Sequence, residues 1–257
     1  MSISKIKFYI KNYFYYIIKF EYWRPKINYS LSKIIEKYSI AKKDFFFIQI
    51  GANDGGNYKI NNQSFDPINK LIKKYDWAGL LIEPLKSVFN NYLKPLYNNN
   101  SKIRLENVAI SDSIGQRKLY KISFSESRWA TGLSSFIKEV IEKHIDSGRV
   151  ALKAKEEDIL MPSNKNEYIT HEIVECVTLD YLINKYNIKK IDLLLIDTEG
   201  FDYEIIKLVN FDKIKPNLIY FEHKHLSTSD YKSSLMFLKI KGYKLQSKSG
   251  NTLAILS

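Results

Sequence analysis

The chain has 257 residues, enough for one large α/β domain or one domain with an extension, and its hydrophobic content of 45% is ample for a core. Cys176 is the single cysteine, which excludes a disulfide within the chain and a cysteine-based zinc site, and favours a reducing compartment. The formal net charge of +12 could indicate nucleic acid or an acidic membrane as a partner. Because Lys, Ile, Asn, Tyr and Phe are abundant throughout, as in proteins of AT-rich genomes, we predict no nucleic-acid partner from the charge.

Residues 1–42 are predicted to be a basic, aromatic N-terminal extension, which we expect to be helical. The longest run without a charged residue, 12–18, is too short to span a bilayer, and the lysines interrupt any signal-peptide core. Two interpretations stay open: a surface segment that contacts anionic lipid at the inner membrane, or a helix that packs on the domain or on a second copy of the chain. We favour packing. We expect a cytoplasmic protein, with peripheral membrane contact and a homodimer as open alternatives.

The first sign of a ligand site is a strand followed by a glycine-rich turn. Residues 45–50 are apolar except for Gln49, as in a strand buried on both faces, and the turn Gly-Ala-Asn-Asp-Gly follows at 51–55. Glycine in such a turn allows positive φ and a close approach of a ligand to the backbone. The turn does not match the G-x-G-x-x-G loop that holds a pyrophosphate, and the next helix starts only near Asp66-Pro67. The turn alone therefore fits either a ligand site or a tight structural turn.

A second buried strand, residues 77–82, ends in the carboxylate of Glu83. In nucleotide-binding βαβ units, an acidic residue at the end of the second strand accepts hydrogen bonds from ribose hydroxyls. A carboxylate is costly to bury without such donors. The alternative is that Glu83 caps the helix that the apolar spacing of residues 85–96 predicts. Because the glycine turn lies in register upstream, we favour the ribose role.

The next part of the chain is predicted to be a β-hairpin followed by an insertion. Residues 105–111 indicate a third short strand, with 117–122 as its hairpin partner across a turn at Gly115. Residues 123–170 then interrupt the alternation of strands and helices. We expect this insertion to form part of a substrate pocket or a lid, with an amphipathic helix and a disordered excursion at 150–168. The candidate substrate-binding residues within it are Arg128, Trp129 and Ser135.

The α/β alternation resumes with a predicted strand at 172–177 and a helix capped by Thr178. Two more buried strands are predicted at 191–196 and 217–222, and a hairpin around Gly250-Asn251 completes the chain. The carboxyl ends of those two strands carry acidic and imidazole side chains: Asp197, Glu199, Glu222, His223 and His225. A doubly wound sheet closed by an antiparallel hairpin is not a dinucleotide-binding layout.

Six short motifs in this order resemble the FkbM family of S-adenosylmethionine-dependent methyltransferases, over about residues 43–257. They are Ile-Gly-Ala-Asn-Asp-Gly at 50–55, Ile-Glu-Pro at 82–84, Asn-Val-Ala-Ile-Ser at 107–111, Val-Thr-Leu-Asp at 177–180, Ile-Asp-Thr-Glu-Gly at 196–200 and Tyr-Phe-Glu-His at 220–223. The resemblance implies an α/β fold, the doubly wound, Rossmann-like seven-stranded sheet of class I methyltransferases with an antiparallel C-terminal hairpin. It also implies a set of cofactor-binding residues: Gly51, Ala52, Asn53, Asp54, Gly55, Glu83, Asn107 and Ala109. Gln49 departs from the family, which often has an acidic residue there.

Family members are similar to sugar O-methyltransferases, so the resemblance implies methyl transfer to a sugar hydroxyl of a surface glycan or a lipid-linked saccharide. The catalytic candidates are Asp197, Glu199, Glu222 and His223, with His225 on the substrate side, because the carboxyl ends of adjacent strands meet at one edge of the sheet. His223 or a carboxylate could act as the base. Alternatively, Asp197, Glu222 and His223 could hold Mg²⁺ or Mn²⁺ and lower the pKa of the hydroxyl. Since no spacing demands a metal, we favour the metal-independent version.

Two other functions stay open. An RNA or protein methyltransferase would suit the positive charge, but the chain lacks an Asn-Pro-Pro-Tyr motif for amino methylation, and Cys176 lies within a predicted strand. A non-catalytic binding module of the same fold would bind the cofactor without methylating any glycan.

Overall fold

The computed structural model describes residues 30–56, 59–60, 63–64 and 66–257. Most of the N-terminal extension predicted at 1–42 therefore lies outside the described residues. The described end of that extension contains a helix, and the compact unit of the chain starts at Leu31 rather than at residue 43.

The first half of the described chain alternates short strands and helices. Its elements are α1 (Leu31–Ile40), β1 (Phe46–Ile50), β2 (Lys59–Ile60), β3 (Gln63–Ser64), α2 (Asn69–Tyr75), β4 (Ala78–Ile82), α3 (Lys86–Val88), a π-helical turn (Phe89–Leu93), α4 (Lys94–Tyr97) and β5 (Ile103–Glu106).

The second half begins with the insertion and ends with the hairpin. Its elements are β6 (Ala109–Ile110), β7 (Gly115–Ile122), α5 (Arg128–Thr131), α6 (Lys138–Asp146), α7 (Arg149–Glu156), a 3₁₀ turn (Lys165–Glu167), β8 (Ile169–Val177), α8 (Leu179–Lys185), β9 (Leu193–Ile196), α9 (Asp202–Lys207), β10 (Leu218–Glu222), α10 (Thr228–Ile240), β11 (Tyr243–Lys248) and β12 (Asn251–Leu256).

Seven strands form the central sheet in the order β11-β12-β10-β9-β1-β4-β5. The five strands from β10 to β5 are parallel, whereas β12 is antiparallel to both β10 and β11. This order confirms the predicted doubly wound sheet with an antiparallel C-terminal hairpin. The winding direction reverses between β1 and β9, and ligands of open α/β sheets bind outside the carboxyl ends of the strands at such a switch point.

Alternate side chains of the central strands pack into two hydrophobic clusters, one on each face of the sheet. Ile48 of β1 and Leu194 of β9 pack with residues of α8, α9 and α10. Phe47, which precedes Ile48, and Leu195, which follows Leu194, pack with residues of α1 and α2. Because both faces are covered, these strands are apolar along their whole length, as their sequences predicted.

The hairpin predicted from residues 105–111 and 117–122 is wrong. The first of these segments is divided, since β5 stays in the central sheet and β6 leaves it after Asn107 and Val108. β6 pairs in parallel with β8, and β7 pairs antiparallel with β8 over its whole length, from Gly115 to Ile122. The result is a separate three-stranded sheet, β6-β8-β7. The long ladder with β8, distant in sequence, replaces the local pairing that the turn suggested.

Disorder predicted at residues 150–168 is also wrong. This stretch contains most of α7 and a 3₁₀ turn in which the amide of Asn166 donates to Asn164 Oδ1. Val150 is buried with Ile122 and Ile141 in a small hydrophobic cluster within the insertion. Because charged residues lie near Val150 in the sequence, its burial could not be predicted from the local pattern.

Helix α1 is part of the domain core. Ile35 is fully buried, and Glu36 accepts hydrogen bonds from Lys74 Nζ at 2.9 Å and Tyr75 Oη at 2.7 Å. The described end of the extension thus packs on the domain, as we favoured for the whole extension. Within the described residues, no helix is both long enough and apolar enough to cross a membrane.

We expect Ile35→Ala to lower the free energy of unfolding by about 2–4 kcal/mol, because it removes a fully buried side chain and leaves a cavity. Ile40→Ala, at the exposed end of the same helix (64% exposed), should change it by less than about 0.5 kcal/mol. Urea unfolding followed by circular dichroism measures both values. Equal losses in the two variants would contradict the packing of α1 on the core.

Candidate active site

A cavity lies above the carboxyl ends of β1, β4 and β9, at the switch point of the sheet. Its empty volume, which includes space open to solvent, is about 880 Å³. The predicted site residues that line it are Gly51, Ala52, Asn53, Asp54, Glu83, Ala109, Arg128, Asp197 and Glu199. The predicted residues outside the lining are Gly55, Asn107, Trp129, Ser135, Glu222, His223 and His225.

The glycine turn after β1 lies directly against the backbone after β9. Gly51 has φ +79°, and a Cβ atom added to it would lie 1.8 Å from the carbonyl oxygen of Asp197. The amides of Gly51 and Ala52 both donate to the carbonyl of Ile82, at 3.0 and 2.9 Å. The turn therefore joins the ends of three strands, and only glycine fits at its first position.

Glu83 connects this turn to the helix that follows β4. The residue is buried, with 4% exposure; its Oε2 accepts from the amide of Asn53 and its Oε1 from the amide of Leu85, both at 2.8 Å. Leu85 precedes α3, so the helix-start role considered for Glu83 is present. Burial raises the pKa of Glu83 to about 7, against the lowering effect of its hydrogen bonds and of Arg128. A carboxylate oxygen can accept two hydrogen bonds, so the same group can also receive hydroxyls.

Asn107 supports the cavity from outside. Its Nδ2 donates to the carbonyls of Glu83 and Pro84, at 2.8 and 3.0 Å, and thereby fixes the loop after β4. The next two residues, Val108 and Ala109, line the cavity. Asn107 therefore positions the wall rather than forming it.

Gln49 and Asp66 line the cavity, although neither was predicted as a site residue. Gln49 Nε2 donates to Asp66 Oδ2 at 2.8 Å, and Asp66 Oδ1 accepts from the amides of Ile68 and Asn69. Within the described residues, Gln49 Oε1 is buried without a hydrogen-bond donor. The sequence predicted a helix start at Asp66-Pro67. Nothing in it indicated that the carboxylate of Asp66 points toward the turn after β1.

A second group of polar side chains gathers at the ends of β9 and β10. Ligand atoms of Asp197, Glu199 and Glu222 lie within 4.8 Å of one another, and so do those of Glu199, His225 and His144. His225 Nε2 is 3.1 Å from Glu199 Oε2 and 3.4 Å from Glu222 Oε2. We call these five residues the strand-end cluster. Glu199 and Asp197 also line the cavity, so the cluster forms part of its wall.

Ionisation in the strand-end cluster is shifted toward neutral groups. Burial and the neighbouring carboxylates raise the pKa of Glu222 to about 7 and that of Glu199 well above its usual range. Asp197 is exposed to the cavity that it lines, yet the protein around it removes enough water to raise its pKa to about 6. Burial lowers the pKa of His225 to about 3 and of His144 to about 4. Both imidazoles are therefore neutral near pH 7.

The histidine that joins the cluster from the helical insertion is one that sequence analysis missed. His144 lies on α6, and its ring centroid is 4.9 Å from that of His225. In the sequence, His144 falls on the same helical face as Val140 and Ile141, where it is easily taken for a core position. The predicted His223 instead stacks on Tyr231 at 4.2 Å, with its Nδ1 2.9 Å from Thr252 Oγ1.

Of the three residues predicted in the insertion, Arg128 lines the cavity, whereas Ser135 and Trp129 lie outside its lining. Arg128 Nε lies 3.5 Å from Asp54 Oδ1, and Ser135 Oγ donates to the carbonyl of Glu199 at 2.7 Å. Trp129 Nε1 donates to Glu157 Oε2 at 3.0 Å, so its polar atom is engaged within the insertion.

The strand order, the antiparallel β12 beside β10 and the glycine turn at the switch point together define a class I methyltransferase domain. A sequence model described as the Methyltransferase FkbM domain matches residues 49–245. The chain belongs to the FkbM methyltransferase family. No curated protein sequence matches it.

Solved structures with a similar fold are also methyltransferase domains. One is described as "METTL16 MTase domain", with a TM-score of 0.42 and 10% identity; the alignment covers 88% of this chain and 65% of that one. Another is "Human methyltransferase 10 domain containing protein", with a TM-score of 0.40, 12% identity and coverage of 88% and 79%. This chain spans about two thirds of the length of the first. Likeness at this level carries no inference about the substrate.

We expect Gly51→Ala to lower the free energy of unfolding by more than about 3 kcal/mol, because the new methyl group meets both an unfavourable φ and the Asp197 carbonyl. Gly148 is a matched control: its φ is +76°, and a Cβ there would meet nothing within 4 Å. Gly148→Ala should lower the free energy of unfolding by only about 1–2 kcal/mol, the cost of the unfavourable φ. Urea unfolding compares the variants, and equal losses would argue against the close contact.

Glu222 should make the folded state less stable as the pH rises. Its pKa is raised from 4.5 to about 7, so the folded state binds more protons between these values, and the stabilising contribution present below pH 4.5 is lost by about pH 7. We therefore expect Glu222→Gln, in chelator, to change the free energy of unfolding little at pH 4.5 and to raise it at pH 8 by on the order of 1–3 kcal/mol. Glu156→Gln, at an exposed position of α7, should show no such rise. Urea unfolding at the two pH values tests this, and parallel profiles would oppose it.

Proposed function

We propose that the protein is an S-adenosylmethionine-dependent O-methyltransferase that acts on a sugar hydroxyl of a surface glycan or a lipid-linked saccharide. The observation that carries the proposal is the strand-end cluster, whose carboxylates Asp197 and Glu199 line the cavity at the switch point. In this fold the switch point is where a ligand binds, and carboxylates at its edge can take the proton of a hydroxyl.

The cavity suits S-adenosylmethionine on three counts. Residues 51–54 of the glycine turn line the cavity, where a ligand can approach them. Gln49 Oε1, buried without a donor in the described chain, can accept from an ammonium or a hydroxyl. Glu83 lines the cavity and can accept from ribose hydroxyls with the lone pairs that its two amide bonds leave. When bound, S-adenosylmethionine supplies an electrophilic methyl group on a sulfonium.

The proton of the acceptor hydroxyl would pass to Asp197. The sulfonium activates the methyl group, so the protein has to position the acceptor and remove its proton. Asp197 faces the cavity, and with a pKa near 6 it is ionised at neutral pH yet basic enough to act as general base. Glu199, which also lines the cavity and has a higher pKa, would hold an acceptor hydroxyl by a hydrogen bond. His223 has no part in this version, because its ring stacks on Tyr231.

The charge of the cavity favours a neutral acceptor over RNA. Among the described residues that line it, the ionisable groups are one guanidinium, Arg128, and five carboxylates: Asp54, Asp66, Glu83, Asp197 and Glu199. A phosphate backbone is bound through Lys and Arg, and the lining offers a single such group. Cys176 is buried in β8, and burial raises the pKa of its thiol, which does not suit a nucleophile of 5-methylpyrimidine chemistry.

The test compares surface glycans of strains with and without the gene by mass spectrometry. We expect one additional methyl group per acceptor residue when the gene is present, and its loss in a strain carrying Asp197→Asn. In vitro, Asp197→Asn should lower the transfer rate at least about 100-fold, the usual scale for a general base. The same variant should bind S-adenosylhomocysteine within about threefold of wild type in calorimetry, since Asp197 acts on the acceptor side. Identical glycans in both strains, or methylated RNA in place of glycan, would contradict the proposal.

A further inference from the structure

We propose that His144, Glu199 and His225 bind a divalent first-row transition-metal ion at the acceptor end of the cavity, with Glu222 as a further carboxylate ligand. This ligand set differs from the one that the sequence suggested, since His223 is absent from it and His144 comes from the insertion. The existence of the site stands on geometry alone, whereas its role in catalysis rests on the proposed function.

The spacing of the atoms matches the coordination shell of such an ion. Metal bonds to imidazole nitrogen and carboxylate oxygen are about 2.0–2.2 Å long, so neighbouring ligand atoms lie about 2.9–3.5 Å apart in octahedral or tetrahedral geometry. His225 Nε2 is 3.1 Å from Glu199 Oε2 and 3.4 Å from Glu222 Oε2. One ligand atom each from His144, Glu199 and His225 lies within 4.8 Å of the others.

The carboxylate oxygens that point into this space lack the hydrogen bonds that burial demands. Glu199 Oε2 and Glu222 Oε2 are buried, and in the described part of the chain neither has a hydrogen-bond donor. The nearby His225 Nε2 is within reach of both, but it forms a hydrogen bond with neither. Buried carboxylate oxygens without a partner are costly, and a cation at their meeting point removes that cost.

The site is held by elements that converge from separate parts of the fold. Glu199 follows β9 with a left-handed φ of +50°, an unusual conformation for a residue with a side chain and one often found at functional sites. Its carbonyl is fixed by Ser135 Oγ. At the next residue, Gly200, a Cβ would lie 3.0 Å from Val140 and 3.3 Å from the carbonyl of His225, so glycine there lets α6 approach the end of β10.

The donor set determines the class of metal. Two imidazoles together with carboxylates suit Mn²⁺, Fe²⁺ or Zn²⁺ better than Mg²⁺ or Ca²⁺. The basic groups near the two histidines, Arg149, Lys224 and Lys143, oppose the ion in part. Arg149 Nη1 lies 3.4 Å from His144 Nδ1, a long contact that places a positive charge beside the site.

An ion at this position would act on the acceptor. Glu199 belongs both to the ligand set and to the lining of the cavity, so the ion would lie at the cavity wall. A hydroxyl of the acceptor sugar that coordinates the ion loses its proton more readily, which assists Asp197 as base.

The experiment titrates tag-free, metal-free protein with Mn²⁺, with bound ion followed by electron paramagnetic resonance, and repeats the titration with Zn²⁺ in calorimetry. We expect one ion per chain. His225→Ala and Glu199→Gln should each weaken binding at least about tenfold, as ligand losses do. His171→Ala, an exposed histidine of β8, is the matched control and should bind within about twofold of wild type. Circular dichroism verifies that each variant is folded. If His225→Ala does not fold, the binding measured for Glu199→Gln, which keeps the size of the side chain, decides the test.

The results separate this site from the proposed function. Absence of stoichiometric binding, or equal weakening by the His171 control, overturns the metal site whatever the glycans show. Binding that depends on His225 and Glu199 supports the site even if no glycan is methylated, a result that would count against the proposed function alone. If the metal site and the proposed function are both confirmed, chelator should reduce glycan methylation at least about tenfold and Mn²⁺ should restore it. Methylation unchanged by chelator would overturn the role of the ion in the reaction.

Discussion

The backbone contact between Gly51 and Asp197 is the constraint on which the site depends. Parallel strands β1 and β9 end side by side, and the chain after each must turn away without collision. The absent side chain of Gly51 lets the two turns meet, with the position of a Cβ only 1.8 Å from the Asp197 carbonyl. This contact holds the glycine turn and Asp197 at a fixed separation, which the proposed methyl transfer would require.

The buried carboxylates near this contact are of two kinds. Glu83 is satisfied within the protein, since both of its oxygens accept backbone amides that would otherwise be unpaired. Glu199 and Glu222 are different, because each keeps a buried oxygen without a donor in the described residues. The first group stabilises the fold, whereas the second is costly for the folded protein by itself. Such costs are typical of residues retained for binding or catalysis.

Elements with a local sequence signal were predicted correctly, whereas contacts between residues distant in the sequence were not. The apolar runs at β1, β4, β9 and β10 identified strands because burial on both faces leaves no alternation. Thr178 was identified as a cap, and its Oγ1 accepts from the amide of Tyr181. The pairing of β7 with β8 was missed, since a turn at Gly115 suggests a neighbour but cannot exclude a longer ladder 50 residues away. His144 was missed for a related reason: a histidine on an apolar helix face gains chemical meaning only from what packs against it.

The origin of His144 in the insertion has a consequence for how the domain is regulated. The central sheet and its glycine turn supply the cofactor side, but α6 has to dock against the end of β10 before His144 meets His225. Docking of the helix and occupancy of the strand-end cluster are therefore thermodynamically linked, so a ligand that bridges them holds the insertion in place. Under the proposed function, loosening of α6 would empty the acceptor side while the cofactor side stays assembled. The protein would then hold its methyl donor in a resting state that is incapable of transfer.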